Sequence, residues 1–199
     1  MPQPLILASG SEIRATLLRR IGLAFEVSVP RIDEEMITAS LLQEEATPRD
    51  IADTLAEMKA RRISEKFPGA TVIGCDQVLD HRGAMLVKPG DAADAVRQLG
   101  RLQGGTHALL SAAVICEDGQ PVWRHVGQVR LTMRPLSPAF IEAYVARNWE
   151  SIRHAVGCYK LEEEGARLFS HIQGDYFHVL GMPFLEIVNY LTLRGDLAT

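Results

Sequence analysis

Hydrophobic and polar positions along the 199-residue chain follow two alternating periods, and the switches between them outline the elements. The apolar run "LILA" predicts a buried strand over 4–8, which stops at Ser9-Gly10-Ser11. Leu17, Leu18 and Ile21 then share one helical face, predicting a helix over 11–21 closed by Gly22. "AFEVSVP" alternates and predicts a second strand before Pro30, and the acid-rich "RIDEEMI" after it reads as a loop. Ala52, Leu55, Ala56 and Ile63 form one apolar stripe and predict a helix over 47–67. Its start is signed by Thr47 as N-cap, Pro48 at the first helical position and Asp50 completing the cap.

"TVIGC" at 71–75 predicts a short buried strand, with "MLVKP" at 85–89 as its hairpin partner across His81-Arg82-Gly83. A helix over 91–102 follows, then a long hairpin from His107 to Met133 turning at Glu117-Asp118-Gly119. Ser137 and Pro138 open a helix running to about Arg147. The last third reads as a strand near 155–160, a loop "LEEEG", a short helix or turn, and a helix from Pro183 to Leu193. Helices interleaved with antiparallel hairpins predict the α/β class, with a mixed sheet rather than a parallel one.

A few polar residues break this pattern. Lys59 lies on the apolar stripe of the 47–67 helix, where an ammonium must snorkel, pair or meet a ligand. Arg14 shares a helical face with Leu17, Leu18 and Ile21 in a first turn preceded by Ser9-Gly10-Ser11. That junction reads either as an N-cap serine beside a surface arginine or as an anion cradle, because free N–H groups of a helix N-terminus favour anions. Asp76 follows a strand too apolar for a solvent-facing edge, so it is either a turn former or a ligand group at the end of a buried element. Lys88 lies just before Pro89 in "LVKP", and Glu34 lies in the acidic loop. Hard carboxylate oxygens suit Mg²⁺ or Mn²⁺, and isolated cations suit a polyphosphate.

Composition narrows the classes. A net charge of −4 and a pI near 5.9 give no broad basic surface for nucleic acid, and the few aromatics offer no stacking platform for RNA. No apolar stretch approaches the length needed to cross a bilayer, and the N-terminus lacks the pattern of a signal peptide. Cys75, Cys116 and Cys158 have no CxxC spacing and read as reduced thiols in the core of a cytoplasmic protein. Walker, dinucleotide-binding, HExxH and GxSxG patterns are absent.

The stretches "LILASGSEIRATLL", "RIDEE", "LAEMKARR", "VIGCDQV", "VKP", "RPLSPAFIEAYV" and "GCYKLEEEGARLFSHIQGDYFHVLGMPF" together resemble the Maf family of nucleotide pyrophosphatases over nearly the whole chain. The resemblance implies one domain over 1–199, in which a twisted mixed sheet with flanking helices forms two lobes around a central cleft. It also implies a homodimer. The implied reaction is metal-dependent hydrolysis of a nucleoside triphosphate between the α and β phosphates. Carried over by position, Asp76 would be the general base and, with Glu34, a ligand of Mg²⁺ or Mn²⁺. Ser9, Ser11, Arg14, Lys59 and Lys88 would bind the phosphates.

Gln77 and Glu162 resemble the 7-methyl-GTP branch, since an amide and a carboxylate suit the polar edge of a purine. Ile13 stands where an aromatic residue is often found, so stacking on the base would be lost. Glu12 and Ala15 stand in place of the proline and second arginine of the usual motif. The alternatives are a dTTP/UTP pyrophosphatase of the same family and a nucleotide-binding regulator of cell division or septum formation with little turnover.

Overall fold

The computed structural model describes residues 3–197. Seven strands form one sheet, β1 (Leu5–Ala8), β2 (Glu26–Val27), β3 (Thr71–His81), β4 (Ala84–Leu86), β5 (Thr106–Glu117), β6 (Gln120–Met133) and β7 (Phe169–Gln173). Their order is β2-β1-β3-β5-β6-β7, with β4 paired to β3. β1 runs parallel to β2 and β3, whereas β3–β4 and β6–β7 are antiparallel, so the sheet is mixed as expected. The helices are α1 (Glu12–Arg20), α2 (Glu34–Gln43), α3 (Pro48–Ser64), α4 (Ala92–Leu102), α5 (Pro138–Ile152), α6 (Tyr176–Val179) and α7 (Phe184–Arg194).

The chain divides into two compact units. The first comprises residues 1–77, 111–127 and 181–199, and the second 78–110 and 128–180. β3, β5 and β6 contribute residues to both. In the first, Leu7, Leu18, Ile51, Ile63 and Ile73 are fully buried. In the second, Leu79, Leu99, Leu102, Leu131 and Tyr144 belong to one core cluster.

Local chemistry accounts for the helix starts. Thr47 and Asp50 form a reciprocal capping box at α3, while Asp91 and Ser137 cap α4 and α5. Four expectations need correction. Residues 34–43 are helical, not loop, because Asp33 accepts the Met36 N–H and acids fill the first turn. β2 has only two residues. β3 runs on to His81, so Asp76 lies within a strand rather than at its end. Residues 156–158 form a 3-10 turn, where Gly157 (φ 75°) and Cys158 (φ 60°) preclude an extended chain.

Candidate active site

The candidate site in the first unit follows from how α3 meets β3. Gly74 and Asp76 share one face of β3 by the strand's period of two, and Ala56, Lys59, Ala60 and Ile63 share one face of α3. A Cβ on Gly74 would lie 2.3 Å from the Ala56 carbonyl oxygen and 2.6 Å from the Ala60 nitrogen, so only glycine lets the helix come this close. Two residues along the strand, Asp76 meets Lys59 instead. The Lys59 Nζ donates to Asp76 Oδ1 at 2.6 Å and pairs with Glu34 Oε1 at 3.0 Å. Lys59 and Asp76 are buried, each with a side chain only 9% exposed, whereas the Glu34 side chain is 43% exposed. Burial pushes the Asp76 carboxyl above its ordinary value, against the opposing pull of Lys59 and Arg14. Its second oxygen, Oδ2, accepts no hydrogen bond from a described residue.

Arg14 is anchored at the start of α1. Its Nε donates to the Gly181 carbonyl at 2.8 Å, and Nη1 donates to Ser9 Oγ at 3.2 Å and to the Cys75 carbonyl at 3.0 Å. Among the described residues those bonds leave Nη2 as the uncommitted end of the guanidinium. Gly181 has φ 87°, and a Cβ there would lie 3.0 Å from Arg14 Nη2. The sequence marks Gly181 as a chain-turning glycine and does not reveal the role of its carbonyl. Gly181 is 167 residues from Arg14, so no local signal marks that contact.

Ser9 Oγ also accepts the Ser11 N–H at 3.2 Å. Ser11 occupies the N-cap position of α1, yet its side chain makes no cap hydrogen bond. Among the described residues its hydroxyl has no hydrogen-bond partner, and it lies beside first-turn N–H groups that an isolated helix cannot satisfy. Gln77 donates from Nε2 to the hydroxyl of buried Ser111 at 3.0 Å, and Ile13 is half-buried on α1. The structure thus brings Glu34, Lys59 and Asp76 together by direct pairing, and Ser9, Ser11 and Arg14 by hydrogen bonds. Arg14 joins the two groups through the carbonyl of Cys75, next to Asp76.

Lys88 and Glu162 belong to the second unit. Lys88 is exposed just after β4, and Glu162 is exposed in the turn before Gly165. Neither makes a hydrogen bond or ion pair with a described residue.

The three cysteines are free and buried, and burial raises the thiols of Cys75 and Cys116 to about 11 and of Cys158 to about 12. Thiols so poorly ionised are core residues and not nucleophiles. Among the described residues no helix is long and apolar enough to cross a membrane.

Buried Lys59 held between buried Asp76 and half-buried Glu34, with Arg14 on the neighbouring Cys75 carbonyl, makes a candidate anion-handling site on an α/β scaffold. The family model described as "Maf-like protein" matches residues 4–193, and the chain belongs to that family. A relative from Roseobacter denitrificans named nucleoside triphosphate pyrophosphatase is 68% identical over 197 residues, covering 99% of each chain. A relative from Brucella abortus named 7-methyl-GTP pyrophosphatase is 44% identical over 188 residues, covering 94% of each. A solved structure of a nucleoside-triphosphatase (dITP/XTP pyrophosphatase) from Mycobacterium abscessus aligns with TM-score 0.37 at 16% identity. It covers 67% of this chain and 75% of that one, a likeness too slight to bear on activity.

Proposed function

We propose that the protein is a nucleoside triphosphate pyrophosphatase that opens the α–β anhydride and releases the monophosphate and pyrophosphate, with 7-methyl-GTP or another purine as substrate. The observation that carries this reading is the buried Lys59 ammonium held between Asp76 and Glu34, in a chain of the Maf-like family. In the reaction the water oxygen bonds to phosphorus, the anhydride P–O bond breaks, and the leaving phosphate takes the electron pair.

Asp76 takes the proton from the water. Burial makes its carboxylate a stronger base than a surface aspartate, which suits general-base work. Lys59 keeps that carboxylate oriented through Oδ1 and sets a positive charge beside the phosphates. Arg14 is already fixed by three hydrogen bonds, so Nη2 engages a phosphate oxygen with little further loss of side-chain freedom. The open Ser11 hydroxyl and the first-turn N–H groups of α1 complete the cradle, with Ser9 holding Arg14 in place.

The donors fit a divalent cation. Asp76 Oδ2 is open, Glu34 is a second hard oxygen donor, and Mg²⁺ sites commonly take one or two carboxylates plus substrate phosphates. Mg²⁺ or Mn²⁺ held by Glu34 and Asp76 would neutralise phosphate charge and acidify its bound water. The family pattern assigns Lys88 to the phosphates and Gln77 and Glu162 to the base, where a carboxylate favours a positively charged methylguanine. It also supports a cytoplasmic homodimer.

The test is pyrophosphate release with Mg²⁺ or Mn²⁺ from 7-methyl-GTP, GTP, ITP, dTTP, UTP and CTP, with Asp76→Asn alongside. Faster turnover of 7-methyl-GTP than of the pyrimidines, abolished in the variant, is expected. Preference for dTTP or UTP would overturn the specificity and keep the reaction.

A further inference from the structure

Three consecutive glutamates, Glu162, Glu163 and Glu164, lie in a tight loop of the second unit that starts at Lys160 and ends at Gly165. Two of the three are committed to partners. Glu164 accepts from Arg147 Nη2 at 2.7 Å, Asn148 Nδ2 at 2.7 Å and Arg167 Nη1 at 2.9 Å. Those bonds, Arg147 foremost, hold its carboxyl down at about 2. Glu163 accepts the Ser151 hydroxyl, whose oxygen lies 2.8 and 2.7 Å from its two carboxylate oxygens, and pairs with Lys160 at 3.4 Å.

Arg147, Asn148 and Ser151 lie within four residues on α5, so two successive acids of the loop grip adjoining positions of one helix. The backbone repeats the closure. The Glu163 N–H donates to the Lys160 carbonyl at 3.2 Å, and the Ala166 N–H donates to the Glu163 carbonyl at 3.2 Å. A Cβ on Gly165 would lie 2.3 Å from the Lys160 oxygen and 2.8 Å from its nitrogen, so only glycine closes the loop. Glu162 and Glu163 are both exposed, and Glu162 alone of the three is unpaired among the described residues.

We propose that Glu163, Glu164 and Gly165 are positioning residues that clamp the 160–165 loop onto α5, so that Glu162 stands out as a fixed, unpaired carboxylate that selects a positively charged methylated purine. The inference rests on the reading of Glu162 as a base-selective residue. A carboxylate on a loose loop would have to be ordered at each binding event, whereas a clamped one is ordered beforehand. Misplacing a selecting group by an ångström or so lowers discrimination about ten- to a hundredfold.

Glu162→Gln, Glu164→Gln and Ser151→Ala are compared in the full-length protein. The readouts are kcat and KM for 7-methyl-GTP and UTP and amide hydrogen exchange over 160–166. Glu162→Gln and Glu164→Gln are both expected to lower the 7-methyl-GTP to UTP ratio of kcat/KM by about tenfold or more, mainly through KM. Exchange in the loop should quicken in Glu164→Gln but not in Glu162→Gln, and Ser151→Ala should follow Glu164→Gln more weakly. Ser151→Ala is the fallback should Glu164→Gln fail to fold.

If Glu162→Gln lowers the ratio while Glu164→Gln and Ser151→Ala keep it, the clamp is overturned and the base reading stands. Quicker exchange with an unchanged ratio means the contacts serve stability alone, which also overturns the proposal. If Glu164→Gln lowers the ratio and Glu162→Gln does not, the base reading of Glu162 fails and the proposal with it.

Discussion

Replacing Lys59 by methionine keeps most of the side chain's volume and removes the charge between two carboxylates. Asp76 Oδ1 lies 2.6 Å from the ammonium and Glu34 Oε1 3.0 Å, so the variant leaves two acids facing each other, one of them 6% exposed. Removing one partner of a buried pair strands the other charge and costs about 3–5 kcal/mol. Asp76→Asn should cost less, about 1–2 kcal/mol, because Lys59 keeps Glu34 as its partner. The double variant should be more stable than Lys59→Met alone, with a coupling energy of about 1–3 kcal/mol.

The pH dependence has a definite sign. Burial already raises the Asp76 carboxyl, and losing Lys59 raises it further. A carboxylate raised in the folded state penalises folding while ionised, and the penalty shrinks as pH falls through its folded value. Lys59→Met should therefore lose more stability near about pH 8 than near about pH 5. Urea denaturation of the four proteins at both pH values measures this. A Lys59→Met loss below about 0.5 kcal/mol, equal at both, would mean instead that the three groups behave as a solvated surface cluster.

Gly181→Ala should weaken substrate binding more than turnover. The new Cβ would lie 3.0 Å from Arg14 Nη2, and φ 87° costs an L-residue about 1–2 kcal/mol, so KM for the triphosphate rises and denaturation shifts modestly. Gly74→Ala should be harsher, since its Cβ would meet the Ala56 carbonyl at 2.3 Å. Forcing α3 off β3 separates Lys59 from Asp76, so activity should fall while a destabilisation of about 1–3 kcal/mol leaves the fold measurable by circular dichroism. His107 donates to or accepts from Tyr159 at 2.7 Å, and burial, with His81 nearby, lowers it to about 4. A base lowered in the fold stabilises above its unfolded value and loses that stability as pH falls. About 3 kcal/mol should therefore disappear between about pH 6.5 and 4, and His107→Gln should flatten that part of the stability–pH curve.

The site was legible where a charge interrupted a clear period. Lys59 was conspicuous because Leu55, Ala56 and Ile63 define the stripe it sits on; of snorkelling, pairing and meeting a ligand, the structure shows pairing, with buried Asp76. The extent of β3 was not legible. Asp76 and Gln77 are two successive polar residues, which in sequence read as the end of a strand, yet Lys59 and Ser111 satisfy them from elsewhere in the chain. α2 was missed because it buries none of its residues and so carries no apolar stripe, although Asp33 and the two acids behind it were a readable start signal. Positive φ at Gly157 and Cys158 undid an extended reading of 155–160 that its apolar residues favoured. The role of the Gly181 carbonyl depends on a contact between chain ends that no local pattern encodes.

Product identification shows whether Asp76 drives hydrolysis of the α–β anhydride. Purified protein and Asp76→Asn would each be incubated with 7-methyl-GTP and Mg²⁺ and the products resolved by phosphorus NMR, with nucleotide binding measured in parallel. Monophosphate and pyrophosphate in equal amounts are expected from the wild type, and binding without turnover from Asp76→Asn. Diphosphate with orthophosphate, or undiminished pyrophosphate release by Asp76→Asn, would contradict that role.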